Sequence, residues 1–198
     1  MAAPLGQRIA TWVLEHVGSF LWGFEPRLMS YIVARLGAFG ALRWFVANMP
    51  GYERTLAALG PLPTHLAALE ISIFNGCAYC IYGHALAFEL HYLREKDRLF
   101  PLDEHALIAL AGQEPEQQRK ALSDALVAAG LEALTGLYDD VRAIWEGKPG
   151  DPALEHLVRM FAVLNACGIE GRVEPDEAHD PINQDRELRR RYAELRAG

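Results

Sequence analysis

Apolar side chains recur along this chain at intervals of three and four: Ile9, Trp12, Val13, Val17, then Leu28, Ile32, Leu36, then Leu122, Leu126, Val127. That is the period of one helix face. No sustained alternation rich in Val, Ile and Thr signals a strand. Several helix starts are marked. Pro26 after Glu25 suits a first helical position, Thr64 suits the cap of a helix running to about Phe74, Asp103 precedes Glu104, and Asp151 is followed by Pro152. Breaks fall at Met49-Pro50-Gly51, Gly60-Pro61-Leu62-Pro63, Asn75-Gly76, Phe100-Pro101, Gly112 to Pro115 and Gly147-Lys148-Pro149-Gly150. The pattern predicts an all-α fold of about seven to nine helices with short connections, in one domain over residues 1–198. The acidic stretch Gly171 to Pro181 lacks periodicity and reads as a loop or arm before a terminal helix from about Asn183.

Composition narrows the class. The chain has 198 residues, 51% apolar and 23% charged, so it can bury a core and reads as an ordinary soluble globular protein. The net charge of −7 argues against a nucleic-acid partner, which wants a basic face. Arg186, Arg189, Arg190, Arg191 and Arg196 alternate with Asp185, Glu187 and Glu194, as on a solvated helix face. Arg8, Glu15 and His16 interrupt the apolar N-terminal region. The stretch Ile71 to Phe88, free of Asp, Glu, Lys and Arg, contains Asn75-Gly76 and His84, so no spanning helix is expected. Met1-Ala2-Ala3-Pro4 has no basic side chain and no signal peptide is read there, so the expected location is the cytoplasm. Three cysteines, Cys77, Cys80 and Cys167, do not make a secreted disulfide framework; in a reducing compartment a close pair points to redox or metal chemistry.

One segment stands apart: Asn75-Gly76-Cys77-Ala78-Tyr79-Cys80-Ile81-Tyr82-Gly83-His84. Asn75-Gly76 ends one helix and Cys77 opens the next. Cys77, Cys80 and His84 then share one stripe at i, i+3 and i+7. Unpaired N–H groups at a helix N-terminus favour a thiolate over a thiol. His84, one turn beyond Cys80, is placed to act as base or proton carrier. A thioredoxin-like site would need a strand before the motif, and a c-type haem site would need histidine where Ile81 stands. Zinc would need a fourth ligand such as His65, Cys167 or His91. Redox or nucleophilic chemistry, a zinc site and an inert buried pair therefore stand as the three readings of these residues. Tyr79 and Tyr82 flank the pair as packing or pocket groups. His91 reads as a pocket-edge or interface residue and Cys167 as a small core residue. Trp12, Trp22, Phe24, Trp44 and Phe45 read as core, or as an interface with a second subunit.

The motif Asn-Gly-Cys-x-Tyr-Cys-x-x-x-His between two helices resembles the signature of the alkylhydroperoxidase D / carboxymuconolactone decarboxylase superfamily. The likeness covers about Leu59 to Ala111, including Leu62-Pro63, Ser72 and Leu102-Asp103-Glu104. It implies an all-α fold with the CxxC helix lining a pocket, a homo-oligomer (trimer, hexamer or dimer) and cofactor-free peroxidase activity. Cys80 would attack hydrogen peroxide or an organic hydroperoxide and Cys77 would resolve the sulfenic acid. A lipoyl-type or thioredoxin-like dithiol donor would restore both thiols, and His84 would serve a proton relay. An apolar pocket wall around Phe74, Ile81 and Leu86 would favour organic peroxides. The chain departs from the pattern at His65, where the family's relay has a Glu twelve residues before the first cysteine. Either His65 relays protons itself, or Glu70, ~140° around the helix from residue 65, serves from another angle, or activation is weaker. A lactone-acid decarboxylase and a zinc-stapled or redox-sensing interaction protein are the competing functions.

Overall fold

The computed structural model describes residues 3–197. Met1 and Ala2, which enter the signal-peptide reading, and Gly198 lie outside the described residues. Ten α-helices follow in order, one more than the upper expectation, and no strand occurs among the described residues. The N-terminal third forms α1 (Leu5–Trp22), α2 (Met29–Leu36) and α3 (Ala38–Leu59). The centre forms α4 (Pro61–Asn75), α5 (Ala78–Lys96), α6 (Glu104–Leu110), α7 (Pro115–Ala128) and α8 (Leu137–Trp145). α9 (Pro152–Gly171) and α10 (Arg186–Ala197) follow, and among the described residues no helix is long and apolar enough to cross a membrane.

The hairpin of α4 and α5 is the axis of the molecule. Nearly every side chain of α4 from Leu62 to Ile73 is buried, as is most of α5 from Tyr79 to Leu93. A helix buried on all sides has neighbours on all sides. α6 and α7 cover one flank, packing Leu107, Leu122 and Leu126 against Leu66, Ile81 and Phe88. α3, α8 and α9 cover another, with Tyr52, Val141, Leu157 and Phe161 around Ala67, Ala68 and Ile71. α1 and α2 meet the cysteine end of α5, and α10 lies along its far side.

Three local expectations are corrected. Pro50 does not end a helix; α3 runs through it. Proline removes one backbone donor, and tertiary contacts carry the helix past the gap: the His156 ring presses on Gly51 and its Nε2 donates to the Asn48 carbonyl at 3.1 Å. Pro26 starts no helix; it sits in the turn before α2, packed where Gly18 of α1 has no side chain. Thr64 is not a cap. Pro61 takes the first position of α4 behind Gly60, and the Thr64 hydroxyl donates back to the Gly60 carbonyl. Asp103 and Asp151 do cap α6 and α9 as expected.

Candidate active site

The sulfurs sit where the local sequence puts them. Gly76 adopts the left-handed conformation (φ 75°) that closes α4, its N–H reaching back to Ile73 and that of Cys77 to Ser72. Cys77 is thereby the N-cap of α5, and its Sγ accepts the Cys80 N–H at 3.4 Å. The two Sγ atoms lie 2.7 Å apart, both buried, close enough to bridge with little backbone movement. The pair is electrostatically unequal. Contact with Cys80 lowers the Cys77 thiol against the opposing effect of burial, whereas burial pushes Cys80 well up. α9 closes over them: a Cβ on Gly168 would lie 2.6 Å from Cys77 Sγ. Cys167 beside it is buried, in line with a core role.

His84 shares the face of Cys80 one turn on, and a chain of hydrogen bonds leads inward from it. His84 Nδ1 is 3.3 Å from His65 Nδ1, and His65 Nε2 is 2.9 Å from Asp180 Oδ2. Asp180 Oδ1 meets His91 Nε2 at 3.1 Å and accepts the Ile182 N–H at 2.7 Å. Although burial opposes it, these partners hold the Asp180 carboxyl well below the usual carboxylate range. A carboxylate only accepts, so His65 carries its proton on Nε2 and leaves Nδ1 bare. Burial holds both His65 and His84 below the usual histidine value, hence neutral. His84 must then donate from Nδ1, and its Nε2 is left with an open lone pair. No group among the described residues hydrogen-bonds that atom.

Three of the polar supports come from the segment after α9. Tyr79 donates to Asp176 Oδ2 at 3.0 Å, and the His179 N–H donates to the Gly83 carbonyl at 3.0 Å. The His179 ring lies against Gly83 so closely that a Cβ there would stand 2.3 Å from its Nδ1. The glycine of the motif is thus the slot that admits the segment.

Cys80, His84, Tyr79, His179 and Tyr52 share the wall of one partly open cavity of about 50 Å³, lined elsewhere by apolar side chains of α1, α2, α3 and α9 and of the turn between α1 and α2. Phe74, Ile81 and Tyr82 are not on it. Each residue turns a helix by about 100°, so Ile81 and Tyr82 point away from Cys80. Ile81 packs with Leu66 and Phe88, Tyr82 lies on the α10 side, and Phe74 stacks on Tyr138. Leu86 packs with Ile182 and Leu188 rather than at the cavity. Glu70 also lies apart. It is fully buried, neither carboxylate oxygen has a partner, burial raises its pKa well above the usual value, and the nearest charges are Asp139 and Asp140 of α8. The sequence reading did not identify Asp176, His179, Asp180 or Tyr52. A His-Asp pair directly before Pro181 in an otherwise acidic loop was the available signal; Tyr52 had none.

His65, His91 and Asp180 bring ligand-type atoms within 4.8 Å of one another, the one such set found among the described residues; it holds no sulfur. No family model, curated protein or solved structure matches the chain.

Proposed function

We propose that this chain is a thiol peroxidase-like oxidoreductase working through a Cys77–Cys80 dithiol. The observation that carries the reading is the pairing of two sulfurs 2.7 Å apart with a histidine chain that ends on a buried carboxylate. Cys80 is the sulfur on the cavity wall, and its raised pKa means it needs a base. His84 offers a free Nε2 on the same wall. The Glu absent from position 65 has a substitute: the carboxylate comes from Asp180 and acts through His65. In the first step Cys80 Sγ bonds to one peroxide oxygen, the O–O bond breaks, and the thiol proton travels by His84 to the departing oxygen. The products are a Cys80 sulfenic acid and an alcohol or water. Cys77 then displaces water to form the disulfide, and an external dithiol, lipoyl-type or thioredoxin-like, returns both thiols while becoming a disulfide itself. No cofactor enters this cycle. The superfamily likeness supports the same activity and self-association, and the close cysteine pair suits a reducing compartment such as the cytoplasm. The exposed Ile9, Trp12, Phe20, Phe39 and Val46 of α1 and α3 offer apolar area for a second copy. The decarboxylase reading is disfavoured, because no Lys or Arg lines the cavity to hold an acid substrate.

The test is intact mass of the reduced chain after one equivalent of hydrogen peroxide. We expect loss of two hydrogen atoms, mapped to Cys77–Cys80, and an oxygen adduct on Cys80 in Cys77→Ser. An adduct on Cys77 in Cys80→Ser alone would reverse the two roles. Unreactive thiols together with stoichiometric metal would replace this reading with a metal-stapled interaction protein built on His65, His91 and Asp180.

A further inference from the structure

Two polar atoms on the cavity wall make no hydrogen bond. Tyr52 comes from α3, one residue beyond the Pro50-Gly51 pair, and is 4% exposed. Its ring packs edge-on to Phe161 and against Ala67, Ala68 and Ile71, yet its hydroxyl finds no partner. His179 Nε2 has no hydrogen bond either; its neighbour is Asp176 Oδ1, an ion-pair contact at 3.4 Å. Buried polar groups without partners are rare in folded proteins and call for an explanation. Here both line the space that Cys80 and His84 also line. The space is about 50 Å³. One water needs roughly 10–15 Å³ on this measure, so the space beside these groups takes a few non-hydrogen atoms.

The occupant must be small. It must present an oxygen that accepts from a phenol and, one bond away, an atom that a thiol attacks. We propose that Tyr52 is the oxygen-anchoring group of this cavity, donating to the departing oxygen of hydrogen peroxide or a small alkyl hydroperoxide while Cys80 attacks the other oxygen. The inference rests on the peroxidase reading and narrows it from peroxides in general to the smallest. The atoms balance as before: the S–O bond forms as the O–O bond breaks, sulfur loses two electrons and the peroxide gains them. The departing oxygen takes the proton that leaves Cys80. Tyr52 keeps its own proton, which burial in an apolar wall holds firmly. His179 supplies the second polar contact on that wall.

Stopped-flow fluorescence of the full, reduced chain tests this, with Trp22 and Trp44 on the cavity wall as reporters. Hydrogen peroxide should oxidise the unaltered chain much faster than free cysteine, and faster than cumene hydroperoxide does by roughly tenfold or more, the size of effect a missing fit gives. Tyr52→Phe should slow oxidation by hydrogen peroxide roughly 10²–10³-fold, as loss of one transition-state donor does. Alkylation of Cys80 by iodoacetamide, whose leaving iodide needs no donor, should change less than about twofold in the same variant. Removing an unpaired buried hydroxyl should also raise Tm, by about 2–4 °C. A Tyr52→Phe chain that oxidises as fast as the original overturns the role of Tyr52. A lowered Tm, or alkylation slowed in parallel, does the same by showing the hydroxyl to be structural. Equal rates with cumene hydroperoxide overturn the size limit. If the unaltered chain reacts no faster than free cysteine, the peroxidase reading itself falls, a result distinct from the others.

Discussion

Two buried polar clusters hang on the same helix, five residues apart, and they are built to different ends. His84 on one side of α5 joins His65, Asp180 and His91. Glu89 on the other joins Tyr192, Glu104 and Arg196. Tyr192 Oη lies 2.6 Å from Glu89 Oε2 and 2.9 Å from Glu104 Oε2, and Arg196 pairs with Glu89 while reaching the carbonyls of Phe100 and Leu102. Both depend on the chain after α9. The carboxylate cluster turns inward and fastens α10 to α5 and the turn before α6. The histidine cluster keeps one end open, at a His84 nitrogen without a hydrogen-bond partner among the described residues, on a side chain that lines the same cavity as Cys80. Burial of charge is therefore a poor marker of chemistry by itself; an unspent lone pair on a cavity-lining side chain is the better one. Glu70, buried with both oxygens unpaired and no cavity group beside it, belongs to neither arrangement.

The comparison can be broken from either side. The largest effect should follow Asp180→Asn. An amide can donate as well as accept, so His65 loses its enforced tautomer and His84 its aimed lone pair. Oxidation of Cys80 by hydrogen peroxide should fall on the order of 10²-fold, the usual worth of a general base, measured by stopped flow; a rate within threefold of the original would show the chain of rings to be structural only. Glu70→Met should act on stability alone. Replacing an unpaired buried carboxyl by an apolar side chain of similar length should stabilise by about 1–3 kcal/mol and leave peroxide oxidation unchanged. A chain that loses its activity would return Glu70 to the relay.

The smallest effect concerns pH at the other cluster. Burial, with the Glu104 charge, pushes Glu89 up to about 8 against the opposing pull of Tyr192 and Arg196. Between its unfolded value near 4.5 and about 8 the folded chain binds the extra proton, so this group's contribution is present at acid pH and drains away as pH rises through that window. The slope is at most about 1.4 kcal/mol per pH unit. Gln stands in for the protonated acid, so urea midpoints of Glu89→Gln and the original chain should lie closest at acid pH and draw apart, the variant becoming the more stable, as pH rises towards 8; parallel curves would refute the shift.

What was legible in the sequence follows from distance along the chain. Cys77, Cys80 and His84 lie on one helix face, so the three-to-four period and the Asn75-Gly76 stop were enough to place them together; His65 entered through the superfamily likeness, as the residue at the relay's Glu position. Glu70 was correctly placed ~140° from residue 65 by the same helix geometry. Pocket walls were read less well. Phe74 and Ile81 are apolar and adjacent to the motif, but adjacency on a helix is a turn of about 100° away. Asp180 is 115 positions from His65, in a stretch with no period, where no local rule reaches. Pro50 shows the converse: a strong local stop signal loses to packing around His156. Arg196, alike in sequence to the exposed arginines near it, is drawn into the carboxylate cluster because its helix register brings it to Glu89.

The slot at Gly83 has a consequence for the order in which the protein becomes competent. The hairpin alone can set both sulfurs side by side, but the aspartate that holds His65 stands 115 positions further along the chain, next to the histidine that fills the slot. On the proposed reading, a chain that has formed the hairpin but not yet docked the segment after α9 holds both thiols without an aimed base.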